Sequence, residues 1–151
     1  TSEILSIMRD NQVAWTPTFS PVHFQWAQPE AVGWSANTVG NLRRILDAHA
    51  EHLRRADEMG VTLLMGTDAG SMGVEHGHAM HEEIDRYREA GLALDKTLAA
   101  ATSAARRHFG HASPLLARGA PFEAVLLDAS PFVRIDALKT PRRVWRAEAA
   151  Q

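Results

Sequence analysis

Apolar side chains follow two rhythms along this chain, and the switches between them mark its elements. Ile4, Leu5, Ile7 and Met8 recur at a spacing that predicts a short amphipathic helix over residues 2–11. Val13-Ala14-Trp15-Thr16 is β-prone and is closed by Pro17, which cannot donate to a ladder. Residues 18–33 hold Pro21, Pro29, Phe19, Phe24 and Trp26 without a clear period, so they read as a long loop that lines a site or covers an edge. After Ser35, a suitable cap, Leu42, Ile45, Leu46, His49, Leu53 and Ala56 return at helical spacing until Gly60 stops the helix. The mainly apolar run Val61-Thr62-Leu63-Leu64-Met65 then predicts a buried strand.

Two helices follow, over about 79–90, ended by Gly91, and over about 96–109, capped by Asp95 and stopped by Gly110. The order strand, helix, strand, helix, helix argues for an α/β fold with parallel strands joined by helical crossovers. Residues 122–128 and 143–146 read as two further strands, with Pro131 and Pro141 between them, and form a small β element beside the α/β part.

Composition narrows the picture. With 151 residues and 45% hydrophobic content the chain can bury one sizeable core, but it is too short for a complete eight-fold barrel of about 250 residues. Cysteine is absent, which removes disulfides, thiolate metal sites and a cysteine nucleophile. A formal charge of −2 with scattered basic residues argues against a nucleic-acid partner. No apolar stretch approaches the roughly 20 residues of a membrane span, and the first residues show no signal peptide, so the expected location is cytoplasmic. Thr1-Ser2-Glu3 carries no initiator methionine, which suits N-terminal processing and a segment of something longer equally.

The densest candidate chemistry is Gly66-Thr67-Asp68-Ala69-Gly70, directly after the second strand. Strand ends followed by glycine-rich turns present reactive groups, because the strand fixes position while glycine allows close approach. An Asx-type turn, in which Asp68 serves only local backbone donors, accounts for the same residues. Glu75-His76-Gly77-His78 and His81 raise a second question, since imidazoles bind zinc and His78 and His81 can share a helix face. Clustering in sequence does not establish converging geometry, and a loop at the rim of a site explains them more simply. His49 falls on the apolar face of its helix, where a core or boundary histidine is the simpler reading than a ligand.

The ordered series Gly66-Thr67-Asp68-Ala69-Gly70, His76-Gly77, Glu82-Glu83-Ile84, Glu89-Ala90-Gly91-Leu92 and Leu98-Ala99-Ala100-Ala101-Thr102 resembles the C-terminal portion of metal-dependent amidohydrolases of the imidazolonepropionase-like kind. Val13-Ala14-Trp15-Thr16-Pro17-Thr18 resembles the preceding strand of that family, and residues 121–131 the return to its small β-sandwich, with Glu123 where aspartate is expected. The resemblance implies a (β/α)8 TIM-like barrel, incomplete here. Residues 1–112 would supply its last two strands and their helices, and residues 113–151 strands of the composite sandwich. Residues 13–16 would be the seventh barrel strand and 61–65 the eighth.

The same resemblance makes Asp68 a ligand of a catalytic divalent metal, zinc by expectation, and the acceptor of a proton from its water. His76 and His78 would lie on the side of a small-molecule substrate whose C–N bond is hydrolysed. The family's His-x-His pair, its mid-barrel lysine or carboxylate and its later histidines have no counterpart in this chain, so the chain alone is expected to be inactive. A noncatalytic interaction module, or a degenerate partial barrel that associates with a partner or with itself, is the competing expectation. Its open strand edges and apolar flank would then be covered by the missing barrel half or by a second copy.

Overall fold

A computed structural model describes residues 1–111, 118 and 122–146. The chain divides into two compact units, Thr1–Phe109 and Gly110–Gln151. The domain boundary expected at 112/113 and the first residue of the expected sandwich return, Pro121, lie outside the described residues.

The first unit opens with α1, Ser2–Asp10, which buries Leu5 and leaves Ile4 and Ile7 more than half exposed. The chain turns at Gln12 (φ 56°) and extends through residues 13–16. There the Trp15 amide donates to the Thr62 carbonyl, and the Leu64 amide donates to the Trp15 carbonyl, each at 2.9 Å. These two bonds make a parallel bridge between Trp15 and Leu63, so the segments 13–16 and 61–65 run side by side as the alternation of elements predicts. The regular ladder is limited to that residue pair.

The expected loop over residues 18–33 is instead two helices, α2 (Ser20–Ala27) and α3 (Pro29–Val32). Pro21 and Pro29 fall in their first turns, where a missing amide hydrogen costs nothing and the fixed φ favours a helix start. The following helix, α4 (Ala36–Glu58), begins as expected at Ser35, whose hydroxyl accepts from the Thr38 amide. Gly60, at φ 77°, takes the left-handed conformation that lets the chain leave the helix and enter the second extended segment.

α5 spans His78–Glu89. The expected helix over 96–109 is broken into α6 (Leu94–Ala101) and α7 (Ser103–His108). The Ala100 carbonyl, which a continuous helix would offer to residue 104, accepts from the Met65 amide at 3.1 Å, and the chain kinks at Thr102 (φ −136°, ψ −90°). Asp95 lies inside the first turn of α6 rather than capping it; Ala93 holds the cap position. A carboxylate there still complements the positive end of the helix dipole.

The core gathers Val61, Leu63, Leu64 and Met65 of the second extended segment, Leu46, Leu53 and Ala56 of α4, Ala79, Ile84 and Tyr87 of α5, and Ala100 of α6. Removing this apolar surface from water is what holds short extended segments and helices in one arrangement. In the second unit, β1 (Ala124–Leu126) and β2 (Arg143–Trp145) pair antiparallel, with Val125 opposite Val144. Both are shorter than the strands expected over 122–128 and 143–146. Trp145 packs its edge against Phe122, with ring centres 5.4 Å apart, and carries the Arg143 guanidinium over its face.

Candidate functional site

The second extended segment delivers Asp68 through a turn whose first residue must be small. A Cβ on Gly66 would lie 2.8 Å from the Thr16 methyl, so glycine is what lets the ends of the two extended segments close on each other. Thr67 Oγ1 then accepts from the Ala69 amide at 3.2 Å. Asp68 sits at φ 52°, in the left-handed region that aspartate tolerates better than most residues. Its Oδ2 accepts from the Ser71 hydroxyl at 2.8 Å, and its carbonyl accepts from the Ser71 amide at 3.2 Å. The turn is thus organised around Asp68, yet the residue stays exposed.

The loop beyond it folds back. Gly73 lies so close to the Phe24 ring of α2 that a Cβ there would sit 2.1 Å from a ring carbon, and its φ of 72° is again left-handed. His76 returns to the turn, with Nε2 3.8 Å from where a Cβ on Gly70 would be. His78 begins α5, exposed, with Nε2 3.7 Å from Glu82 Oε1. The structure therefore brings His76, two residues upstream of His78, to the Asp68 turn and leaves His78 on the helix. Among the described residues no three His, Asp or Glu side chains converge as a metal site, so the cluster from Glu75 to His81 does not form one by itself.

α5 also buries a polar pair, Glu83 and Tyr87, that residue spacing alone does not mark as part of a site. Glu83 of α5 is fully buried, and its Oε1 accepts from the Phe19 amide at 2.8 Å, the Ser20 amide at 2.6 Å and the Ser20 hydroxyl at 2.7 Å. One turn further along, the buried Tyr87 hydroxyl lies 2.9 Å from the Pro17 carbonyl and 2.6 Å from the Leu64 carbonyl, in position to donate to either. Burial pushes the Glu83 carboxyl above the usual carboxylate range, against the opposing pull of its Ser20 and Phe19 donors. Burial, and then the nearby Glu83 charge, also hold the Tyr87 phenol above its usual range. The signal for the pair was the stripe Ala79, Glu83, Tyr87 and Ala90, spaced at four, four and three residues along one helix face.

Two histidines are shaped by burial away from the turn. His49 of α4 stacks on Phe19 with ring centres 4.5 Å apart, and burial lowers its pKa. His23 of α2 faces Arg86 Nη1 at 3.0 Å; burial first, and the Arg86 charge second, lower its pKa as well. His23 and Arg86 line a cavity of about 220 Å³ between α2, α4 and α5, on the helical layer rather than at the Asp68 turn.

No protein-family model matches the sequence, and no curated protein does. Solved structures do match in fold. A prolidase in complex with N-methylphosphonate-L-proline superposes with a TM-score of 0.77 at 19% identity, over 97% of this chain and 36% of its own. A Xaa-Pro dipeptidase with methionine bound in its active site superposes with a TM-score of 0.79 at 21% identity, over 97% of this chain and 36% of its own. The chain thus spans about a third of the length of these proteins, and its fold is similar to one part of a larger hydrolase fold.

Proposed function

We propose that this chain is the C-terminal part of a metal-dependent amidohydrolase-type enzyme that cleaves C–N bonds, with Xaa-Pro dipeptides as the substrate class. The observation that carries this reading is the parallel Trp15–Leu63 pair running straight into the exposed Asp68 turn, within a fold that matches part of a prolidase. In this reading residues 1–112 are the last two strands and helices of a (β/α)8 barrel, and residues 113–151 contribute strands to a small β-sandwich. The Asp68 turn then belongs to the barrel rim where such folds gather their chemistry.

Asp68 is suited to be one metal ligand: a carboxylate at a strand end, held in place through Ser71 and open to solvent. A catalytic zinc takes three protein ligands, so the residues present here do not complete a site, and the other ligands belong to segments outside this chain. In the complete protein, with Asp68 as one ligand, such a metal would supply an acidified water as the nucleophile. This chain's own contribution would be the Asp68 carboxylate as proton acceptor, with His76, which returns to the same turn near Gly70, and His78, at the start of α5, as the substrate-side residues. By itself the chain is inactive. Its exposed Ile4, Ile7 and Val13, and the outer edges of the two extended segments, are the surfaces that the missing barrel half, or a second copy, would cover.

The test is hydrolysis of an Xaa-Pro dipeptide by the full-length protein supplied with zinc. Asp68→Asn is expected to lower kcat by at least about a hundredfold, the lower range for loss of a general base, with the thermal unfolding midpoint unchanged. Activity comparable to wild type in that variant would remove Asp68 from the mechanism.

A further inference from the structure

We infer that Glu83 and Tyr87 are positioning residues for the candidate site, fixing from α5 both the segment at 17–20 and the turn that carries Asp68. The inference rests on the reading of Asp68 given above. Glu83 Oε1 gathers three donors, two of them backbone amides at the start of α2. It thereby caps that helix start from another element, supplying an acceptor oxygen to amides that have no partner within α2. α2 in turn presses Phe24 against Gly73, inside the loop that returns His76 to the Asp68 turn.

Tyr87 acts on the other side of the same rim. Its hydroxyl lies between the carbonyls of Pro17, just after the first extended segment, and Leu64, the next-to-last residue of the second. The distance between those carbonyls sets how closely Thr16 approaches Gly66, two residues before Asp68. Apolar side chains would pack α5 equally well without the cost of burying a carboxylate and a phenol. Both residues instead direct their hydrogen bonds at other elements: Glu83 at the Phe19 and Ser20 amides and the Ser20 hydroxyl, and Tyr87 at the Pro17 and Leu64 carbonyls. Among the described residues Glu83 Oε2 has no hydrogen-bond partner, whereas Oε1 is aimed at residues 19 and 20.

Backbone hydrogen–deuterium exchange of the full-length protein, read by mass spectrometry without metal or substrate, tests this independently of the proposed activity. Glu83→Ala is expected to raise uptake at least about tenfold in rate over residues 17–27 and 66–77, and to leave the middle of α4 unchanged. Glu83→Gln keeps an acceptor oxygen and should restore wild-type exchange in both stretches. Tyr87→Phe should loosen residues 62–71. Changes confined to 17–24, or failure of Glu83→Gln to rescue 66–77, would overturn the inference. If Glu83→Ala does not fold, Tyr87→Phe decides alone, and wild-type exchange over 62–71 would overturn the inference. Failure of Asp68→Asn to reduce hydrolysis, with these exchange patterns intact, would count against the proposed function only.

Discussion

At the scale of single residues, the pH dependence of stability separates the histidines from Glu83. His49 and His23 have lowered pKa values in the fold, so the unfolded chain binds protons first as pH falls through about 6.5. Their neutral forms favour the fold fully above that pH, and the contribution is lost on acidification. Glu83 has the opposite sign, because a raised carboxyl pKa favours the fold at low pH and that contribution is lost as pH rises through the raised value. As pH falls below about 6.5, His49→Phe, which keeps a ring on Phe19, should therefore lose less stability than wild type, read by urea unfolding. Equal losses would contradict the role given to His49. Asp68 was legible as a candidate because glycine and a strand end flank it in sequence. Glu83 was harder to read, since its partners at residues 19 and 20 are more than sixty positions away and only folding brings them together.

Elements whose local signals agreed were legible to within a residue or two. α4 has a cap, a helical period and a stop, and it forms where those signals lie. Ser35→Ala should lower stability by about 1 kcal/mol through loss of the Thr38 amide's partner, measured as a shift in urea midpoint at constant slope. An unchanged midpoint would mean that the cap is redundant in a helix of 23 residues. α2 was missed because proline was read as a loop signal where it marks a first turn. The break at Thr102 was illegible for another reason. It depends on Met65 taking the Ala100 carbonyl, a contact made across 35 positions of sequence that no local propensity encodes.

At the scale of the whole molecule, the order of motifs carried the parallel relation of residues 13–16 to 61–65, and the structure contains that pairing. Strands were expected over 13–16 and 61–65 and a single parallel bridge formed; the two segments pair with each other, and the described residues provide no third strand beside them. Among the described residues no helix is long and apolar enough to cross a membrane. In the function proposed above, Asp68 lies at the rim of a larger hydrolase and holds one position of its metal. Zinc-edge anomalous diffraction from crystals of the full-length protein grown with zinc would locate that metal. The expected result is an anomalous peak with an Asp68 carboxylate oxygen about 2.0–2.2 Å away and the remaining ligands outside residues 1–151. A well-occupied zinc elsewhere, with Asp68 still bonded only to Ser71, would remove Asp68 from the metal site.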